Sequence, residues 1–533
     1  MNDEVTKITD TGTSDELLLA IDCGTQSVRA LLIDLYGDVV AKQYQALEDY
    51  KIPQHGWLEH DADIFWRATA GVCQALWKAD AHWRSRVRGV TVTTQRGTVM
   101  PVDSNGRPLH PAIIWLDQRL SGRAPNLPLL LRIAAKATGA DEFVHGFISQ
   151  AEIAWFAENR PDIHGSTHKY LLLSGWLNYC LTGDFTDSVA SQVGYLPFDF
   201  RRQEWAADSD WRWRALDVRR DHMPDLASSG TVLGEVTPAA AELTGIPAGA
   251  PVIAAAGDKA CEIIGSGATT PEIGAVSYGT TATINITTPH YFEAIKFAPP
   301  YPALIPAHYN SEIQIFRGYW MVNWYKEQFA HKECEAATIA GVAPETLFEE
   351  LLTQAPPGSD GLILQPYWAP GVRTPELSAR GAIIGFTEAH TRAHIYRAIL
   401  EGLAYELRFG KERIEARSTE KITCLRIAGG GSQSDAAMQL TADIFNLPAE
   451  RPHSYEASGV GAAIAAAVAL DFYSDFPTAV AAMTRIGRVF EPIPDNAAMY
   501  DGLYRNVYLR MYERLAPLYH NLQDALKKGG SSH

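Results

Sequence analysis

The apolar run Leu17 to Ile21 ends in the polar stretch Asp22-Cys23-Gly24-Thr25, and a second mostly apolar run, Val28 to Leu35, follows almost at once. The turn signal Tyr36-Gly37-Asp38 then separates it from Val39-Val40-Ala41. Short apolar runs punctuated by Gly and Asp predict strand, tight turn, strand, turn, strand. After that the period changes. Ile64, Phe65, Ala68, Val72, Ala75 and Leu76 recur at helical spacing, so a helix is expected within 61–83, and Gly89 to Thr94 reads as a buried strand. Strands alternating with helices place the chain in the α/β class.

The second half opens on a comparable pattern. Pro251 to Ala256 leads into Gly257-Asp258 and an expected helix, and Ala275 to Ile286 reads as strand, Gly279-Thr280-Thr281 turn, strand. Set against Ala20 to Leu32, this is a distant internal echo. With 533 residues the chain exceeds what one hydrophobic core organises. Two domains are therefore expected, 15–255 and 256–527, with a helix at about 496–527 on the outside of the second. The stretch 290–375, rich in Pro and aromatic residues, fits no βα repeat and is expected as an insertion in the second domain. Residues 528–533 read as a flexible tail.

Composition narrows the function classes. A formal net charge of −16 argues against nucleic acid as a partner. The cysteines at 23, 73, 180, 261, 334 and 424 form no close pair, so neither a zinc knuckle nor a disulfide framework is expected. No structural metal is expected from the histidines. The first sixteen residues are polar, and no apolar run approaches the roughly 18 residues of a membrane span. A cytoplasmic protein with no membrane partner is the expectation.

Four stretches carry candidate chemistry: Asp22-Cys23-Gly24-Thr25-Gln26-Ser27-Val28-Arg29-Ala30; Phe147 to Asn159; Gly381 to Phe386 with His394-Ile395 and Ala398 to Glu401; and Ala428 to Ser434 with Ala442-Asp443 and Gly459 to Ala463. The first resembles the opening phosphate hairpin of the sugar kinase, actin and chaperone ATPase superfamily. The second is similar to the first signature of the FGGY carbohydrate kinases, with Glu152 where a lysine is usual. The third resembles the second FGGY signature, and the fourth that family's adenosine-site loop. The resemblance implies two ribonuclease-H-like domains around a cleft, the first mainly sugar-binding and the second mainly ATP- and magnesium-binding. It also implies a homodimer, and phosphorylation of a hydroxyl on a small sugar or polyol.

Phosphoryl transfer needs phosphate charge neutralised and an acceptor oxygen oriented. Glycine lets backbone N–H groups approach phosphate closely, and a Thr hydroxyl adds a donor. Gly24, Thr25 and Gln26 are thus expected on one side of the phosphates and Gly279, Thr280 and Thr281 on the other, with Gly430, Gly431, Ser432 and Gln433 under the adenosine. Asp22, at a strand end, suits magnesium held through water. Asp258 is the expected catalytic base and acceptor ligand, although an ordinary helix N-terminus reads the same. Gln95, Arg96 and Asp187 are the other acceptor candidates, and Trp115-Leu116-Asp117-Gln118-Arg119 an expected buttress. Glycerol kinases have Gln-Arg-Glu at the matching place and xylulose kinases Gln-Met/His-Gly; Gln95-Arg96-Gly97 mixes the two. A ketopentose-like acceptor is expected, with glycerol or another small polyol as the alternative. A non-catalytic nucleotide sensor would keep the phosphate turns without needing Asp258.

Overall fold

Every residue of Leu17–Cys23 (β1) is buried, because this strand has a neighbour on each side and helices on both faces. The computed structural model describes residues 15–124, 127, 129–138, 140–342, 344–369 and 378–530. Ser27–Asp34 (β2) and Val39–Ala46 (β3) follow β1 as a meander, β1 and β2 pairing antiparallel with Asp22 opposite Arg29. Helix Ala62–Ala79 (α1) covers the sheet, and Val87–Thr94 (β4) returns parallel to β1 with Asp22 beside Thr93. Val232–Glu235 (β5) and Pro251–Ile253 (β6) complete a six-stranded sheet of order β5-β6-β4-β1-β2-β3.

The order repeats later in the chain. Ile273–Tyr278 (β7) and Ala282–Thr288 (β8) form an antiparallel hairpin, and Tyr309–Ile315 (β9) lies beside β8. Cys424–Ala428 (β10) runs parallel to β7, Ala449–Pro452 (β11) parallel to β10, and Ile486–Phe490 (β12) antiparallel to β11. Six strands of each sheet thus follow the same spatial order, with two parallel strands and an antiparallel edge, and the second sheet adds Tyr301–Pro302 as a seventh strand outside β9. The echo heard in the sequence is a repeated topology.

The chain divides into two compact units, and they interleave along the sequence. The first holds the residues up to Gly267, then Thr288–Asn310 and Glu456–Arg485; the second holds Ala268–Thr287, Ser311–Tyr455 and the residues from Ile486 onward. A border at residue 255 falls inside the first unit. Helix Asp258–Gly265 (α2) belongs there because it packs against Ala457–Ala469 (α3), a helix from far down the chain. Both partners are small at the contact. A methyl on Gly461 would sit 1.9 Å from the Cys261 carbonyl oxygen, and one on Gly265 would sit 1.9 Å from that of Ala457. Gly459 faces the Leu31 side chain, whose Cδ1 would lie 2.2 Å from a methyl there. The small-residue run 459–467 is therefore a close-packed core helix, as its composition suggests.

The stretch 290–375 is not one insertion. Its first part packs with the first unit, β9 is a strand of the second unit's sheet, and helices Trp320–Phe329, His331–Ala340 and Pro344–Thr353 follow. Alternation in Tyr-Asn-Ser-Glu-Ile-Gln-Ile is the strand signal, obscured in sequence by the prolines at 299, 300, 302 and 306. Residues 370–375 of that stretch lie outside the described residues. The expected terminal helix is present as Pro494–Leu503, a wider turn at Tyr504–Tyr508, and Leu509–Gly530. It runs into the expected tail, of which 531–533 lie outside the described residues. A second, aromatic core of the first unit gathers Phe147, Trp155, Phe156, Trp205 and Trp213.

Gly461→Ala should be strongly destabilising, since the added methyl would stand 1.9 Å from the Cys261 carbonyl oxygen and the backbone must shift to admit it. A loss of about 1–3 kcal/mol or more is expected in denaturant unfolding, the usual scale of overpacking. Wild-type stability in that variant would show that the helices are not in backbone contact.

Candidate active site

In the first unit, the ends of β1, β4 and β6 bring four of the expected residues near one another. Asp22, the penultimate residue of β1, is buried, and its Oδ2 accepts from Arg29 Nη1 at 3.2 Å. The turn after it is closed by Gly24 N–H donating to the Ser27 carbonyl at 3.0 Å. Thr25 Oγ1 accepts from Trp115 Nε1 at 2.9 Å, a bond that does not use the hydroxyl's own hydrogen, and Gln26 is exposed. Trp115 is thus the side of the expected buttress that touches the hairpin. Its other side is structural. Arg119 is buried between the rings of Trp57 and Trp155, 4.3 and 4.6 Å from their centres, and donates to Asp117 and Glu59.

Gln95 follows β4, its backbone N–H bonded to the Cys23 carbonyl at 2.9 Å. Its side chain is only 3% exposed, and neither amide atom has a hydrogen-bond partner. Arg96 lies alongside Gly257, where a side chain would meet its Cγ at 3.0 Å. Asp258 is the first residue of α2. Three bonds fix the backbone before it: Thr93 Oγ1 to the Ala256 carbonyl at 2.9 Å, Ser188 Oγ to that of Ala255 at 2.5 Å, and Gly257 N–H to that of Ala190 at 3.3 Å.

Burial sets the electrostatics. It raises the Asp258 carboxyl above the ordinary range, while Lys259 and Arg96 pull it back. Burial works against the Lys259 ammonium too, but Glu262 (3.2 Å from its Nζ) and Asp258 outweigh it and raise its pKa. Asp22 is pushed up to about 6, by burial first and then against the pull of Arg29 by Asp258 and Glu456. The charge on Asp258 thus disfavours the ionised form of Asp22. Glu152, at the start of helix Glu152–Asn159, is raised to about 7 by burial and by Asp117. Nothing in the local sequence announced that shift.

Asp187 is differently placed from its expectation as an acceptor ligand. Its Oδ2 accepts from Ser174 Oγ and Gln192 Nε2, both at 2.8 Å, and its Oδ1 from Asn178 Nδ2 at 3.2 Å and Ser188 N–H at 2.8 Å. Four donors fill a carboxylate's capacity. Asp187 thereby braces the turn whose Ser188 and Ala190 hold the backbone before Asp258.

In the second unit, the turn between β7 and β8 presents Gly279 half-buried, Thr280 exposed and Thr281 buried. The Gly279 carbonyl accepts from Tyr319 N–H at 3.0 Å, and that of Thr280 from Gly318 N–H at 3.0 Å. The triple glycine follows β10, and its members do different things. Gly429 has φ +83° and would drive a side chain into the Tyr278 backbone at 2.8 Å; Gly431 would drive one into the Tyr319 ring at 2.2 Å. Gly430 faces nothing within 4 Å. Ser432 is buried and turned inward, its Oγ donating to the Gly429 carbonyl at 2.7 Å, while Gln433 is exposed. The two outer glycines are thus required by packing, and only the middle one leaves open space.

Two family models cover most of the chain: the N-terminal domain of the FGGY family of carbohydrate kinases matches residues 17–265, and the C-terminal domain of that family matches residues 274–470. The chain belongs to the FGGY family of carbohydrate kinases. This kinase is 28% identical over 510 residues to a xylulose kinase of Staphylococcus epidermidis, covering 94% of this chain and 98% of the relative. It is also 28% identical over 497 residues to a glycerol kinase of Rippkaea orientalis, covering 90% and 94%. The crystal structure of xylulose kinase from Rhodospirillum rubrum superposes with a TM-score of 0.78 at 25% identity, covering 95% of this chain and 100% of that one. The two-domain actin-like fold and the enzyme class expected from the sequence are those of the family: ATP-dependent phosphorylation of a sugar or polyol hydroxyl. Among the described residues of this kinase no helix is long and apolar enough to cross a membrane.

Asp22→Asn should raise the kinase's melting temperature at pH 7.5 in the absence of magnesium, and leave it near wild type only at about pH 3.5, below the unfolded pKa. A carboxyl raised from 3.8 to about 6 in the folded state contributes most below pH 3.8 and loses that contribution as pH rises through 6. Calorimetry at the two pH values checks this; an equal shift at both would refute the charge argument.

Proposed function

We propose that this kinase phosphorylates a small, uncharged polyhydroxylated acceptor of ketopentose type, with Asp258 as general base and Gln95 and Arg96 as acceptor ligands. The observation that carries the acceptor reading is the buried, unpartnered amide of Gln95. Leaving a buried donor and acceptor unpaired costs on the order of 1–3 kcal/mol each. A sugar hydroxyl both donates and accepts, so one hydroxyl or a neighbouring pair answers both ends of the amide. Arg96 adds donors to hydroxyl oxygens beside Asp258. Asp187 serves as a brace for Asp258 and not as a ligand.

Asp258 accepts the acceptor's hydroxyl proton as the new oxygen–phosphorus bond forms. Its raised pKa makes it a better base than a surface carboxylate, and the bonds at Ala255, Ala256 and Gly257 fix where it stands. Gly24, Thr25 and Gln26 offer phosphate N–H and hydroxyl donors. Gly279, Thr280 and Thr281 offer donors of the same kind, and Gly430, Gly431, Ser432 and Gln433 form the adenosine turn, open at Gly430. Asp22 fits magnesium: a buried carboxyl that burial and neighbouring carboxylates drive toward taking up a proton also favours a cation. When bound through water there, magnesium neutralises phosphate charge.

Equal identity to a xylulose kinase and a glycerol kinase does not choose between acceptors. Gly97 does favour one side, since it removes the carboxylate that glycerol kinases carry after Gln-Arg. Arg96 favours the second reading, glycerol or another small polyol, because xylulose kinases have Met or His there.

Asp258→Asn should lower kcat by about 10²-fold or more, the usual scale for a lost general base, with ATP binding nearly intact. Turnover within a few-fold of wild type on the best acceptor would remove Asp258 from the mechanism. Thr280→Val should raise the KM for ATP and leave that for the acceptor unchanged; steady-state titration of each substrate checks this, and the reverse pattern would exchange the roles of the two turns.

A further inference from the structure

The turn 279–281 is met by a segment from further along the same unit, Arg317-Gly318-Tyr319-Trp320. Gly318 N–H and Trp320 N–H both donate to the Thr280 carbonyl, at 3.0 and 3.4 Å, and Tyr319 N–H donates to that of Gly279 at 3.0 Å. Gly318 lies so close on the turn that a side chain there would stand 2.2 Å from the Ala282 nitrogen. Arg317 is therefore held to Thr280 from two directions. Gly318 is its neighbour in the chain, and the Arg317 guanidinium carbon stands 4.9 Å from the centre of the Trp320 ring. The residue is half-buried, yet among the described residues its guanidinium has neither a hydrogen-bond acceptor nor a carboxylate partner. Arg392, Arg397, Arg408 and Arg451 of the same unit are each paired with a carboxylate.

We propose that Arg317 is a further nucleotide ligand, a cation that binds the β- and γ-phosphates of ATP beside the Thr280 turn. This rests on the reading of Gly279, Thr280 and Thr281 as a phosphate turn. That turn offers N–H and hydroxyl donors but no charge, and Gly318, Tyr319 and Trp320 add none. A polyphosphate carries several negative charges, and in a chain of net charge −16 they are not met by the protein's general field. Arg317 supplies the missing cation. Its planar fork suits two phosphate oxygens at once, which a lysine would meet only as a point charge. The Trp320 ring attracts the cation but provides no oxygen acceptor, so the fork is held in place with its donors kept for phosphate. The bonds from Gly318 and Trp320 to one carbonyl then tie the position of the cation to that of the turn: the donors of Thr280 and of Arg317 move as one body. A solvated arginine with no ligand would have similar exposure but would contribute nothing to nucleotide binding, and that difference is measurable.

Arg317→Ala removes the cation and breaks no hydrogen bond of the fold, so the melting temperature of the free enzyme should stay at the wild-type value. Calorimetric titration with ADP and AMP is combined with steady-state titration of ATP and of the best acceptor. The Kd for ADP and the KM for ATP should each rise about tenfold or more, the fold-change for losing a hydrogen bond to a charged group. The Kd for AMP and the KM for the acceptor should not change, and Arg317→Lys should recover part of the loss. If ADP and AMP weaken by the same factor, the cation serves the adenosine end and the proposal is overturned. If Arg317→Ala binds ADP as wild type does while Thr280→Val raises the KM for ATP, Arg317 is no ligand and the phosphate turn stands. If neither variant weakens the nucleotide, the reading of the turn falls and the proposal falls with it.

Discussion

The first unit depends on two helices meeting backbone to backbone. Asp258–Gly265 and Ala457–Ala469 approach so closely that glycine is needed on both, at 265 and 461. Contacts of this kind are short-ranged and unforgiving, which is what the proposed base at the first turn of a helix would require. A helix that could slide by an ångström would carry its leading carboxylate with it. Thr93, Ser188 and Ala190 then fix the few residues before the helix, so Asp258 is constrained from both directions along the chain.

That rigidity is combined with electrostatic cost. Asp22 and Asp258 are buried carboxylates whose pKa burial raises, Asp258 adding to the rise at Asp22, with Arg29, Lys259 and Arg96 offsetting only part of the penalty. An arrangement chosen for stability alone would not place them together. It is consistent with a site whose carboxylates are completed by a cation and by an acceptor proton. Asp187 shows the contrast: a carboxyl equally buried, but with four internal donors, serves the scaffold.

Much of this was legible in the chain. The β1–β2 hairpin, the strand at 89–94, the helix within 61–83 and the repeat at 275–286 follow from apolar period and turn residues, which are local properties. Gly459 to Ala467 was readable as a packed helix from side-chain size alone. What was not legible is what depends on partners distant in sequence. Nothing around Asp187 distinguishes a ligand from a brace; the difference lies in Ser174, Asn178 and Gln192 converging on it. The triple glycine reads as uniform, yet Gly429 and Gly431 are fixed by Tyr278 and Tyr319 while Gly430 faces open space. Residue 255 looked like a border because a strand ends there, whereas the true partner of the next helix lies some two hundred residues on. Prolines hid the strand at 309–315 and the separate allegiance of 288–310.

The interleaving of the two units has a consequence for biosynthesis. The sheet of the first unit is synthesised early, but the helix that covers one of its faces, and receives α2, ends only at Ala469. Until that helix leaves the ribosome, Leu31, Ile33 and the small-residue surface of α2 have no native cover. Folding of the first unit is then coupled to synthesis of most of the second, and the nascent chain carries an exposed apolar face for the interval. Long-range closure of this kind is slow compared with local pairing. This kinase should therefore rely on chaperones that bind extended apolar surface more than a protein whose domains are consecutive along the chain.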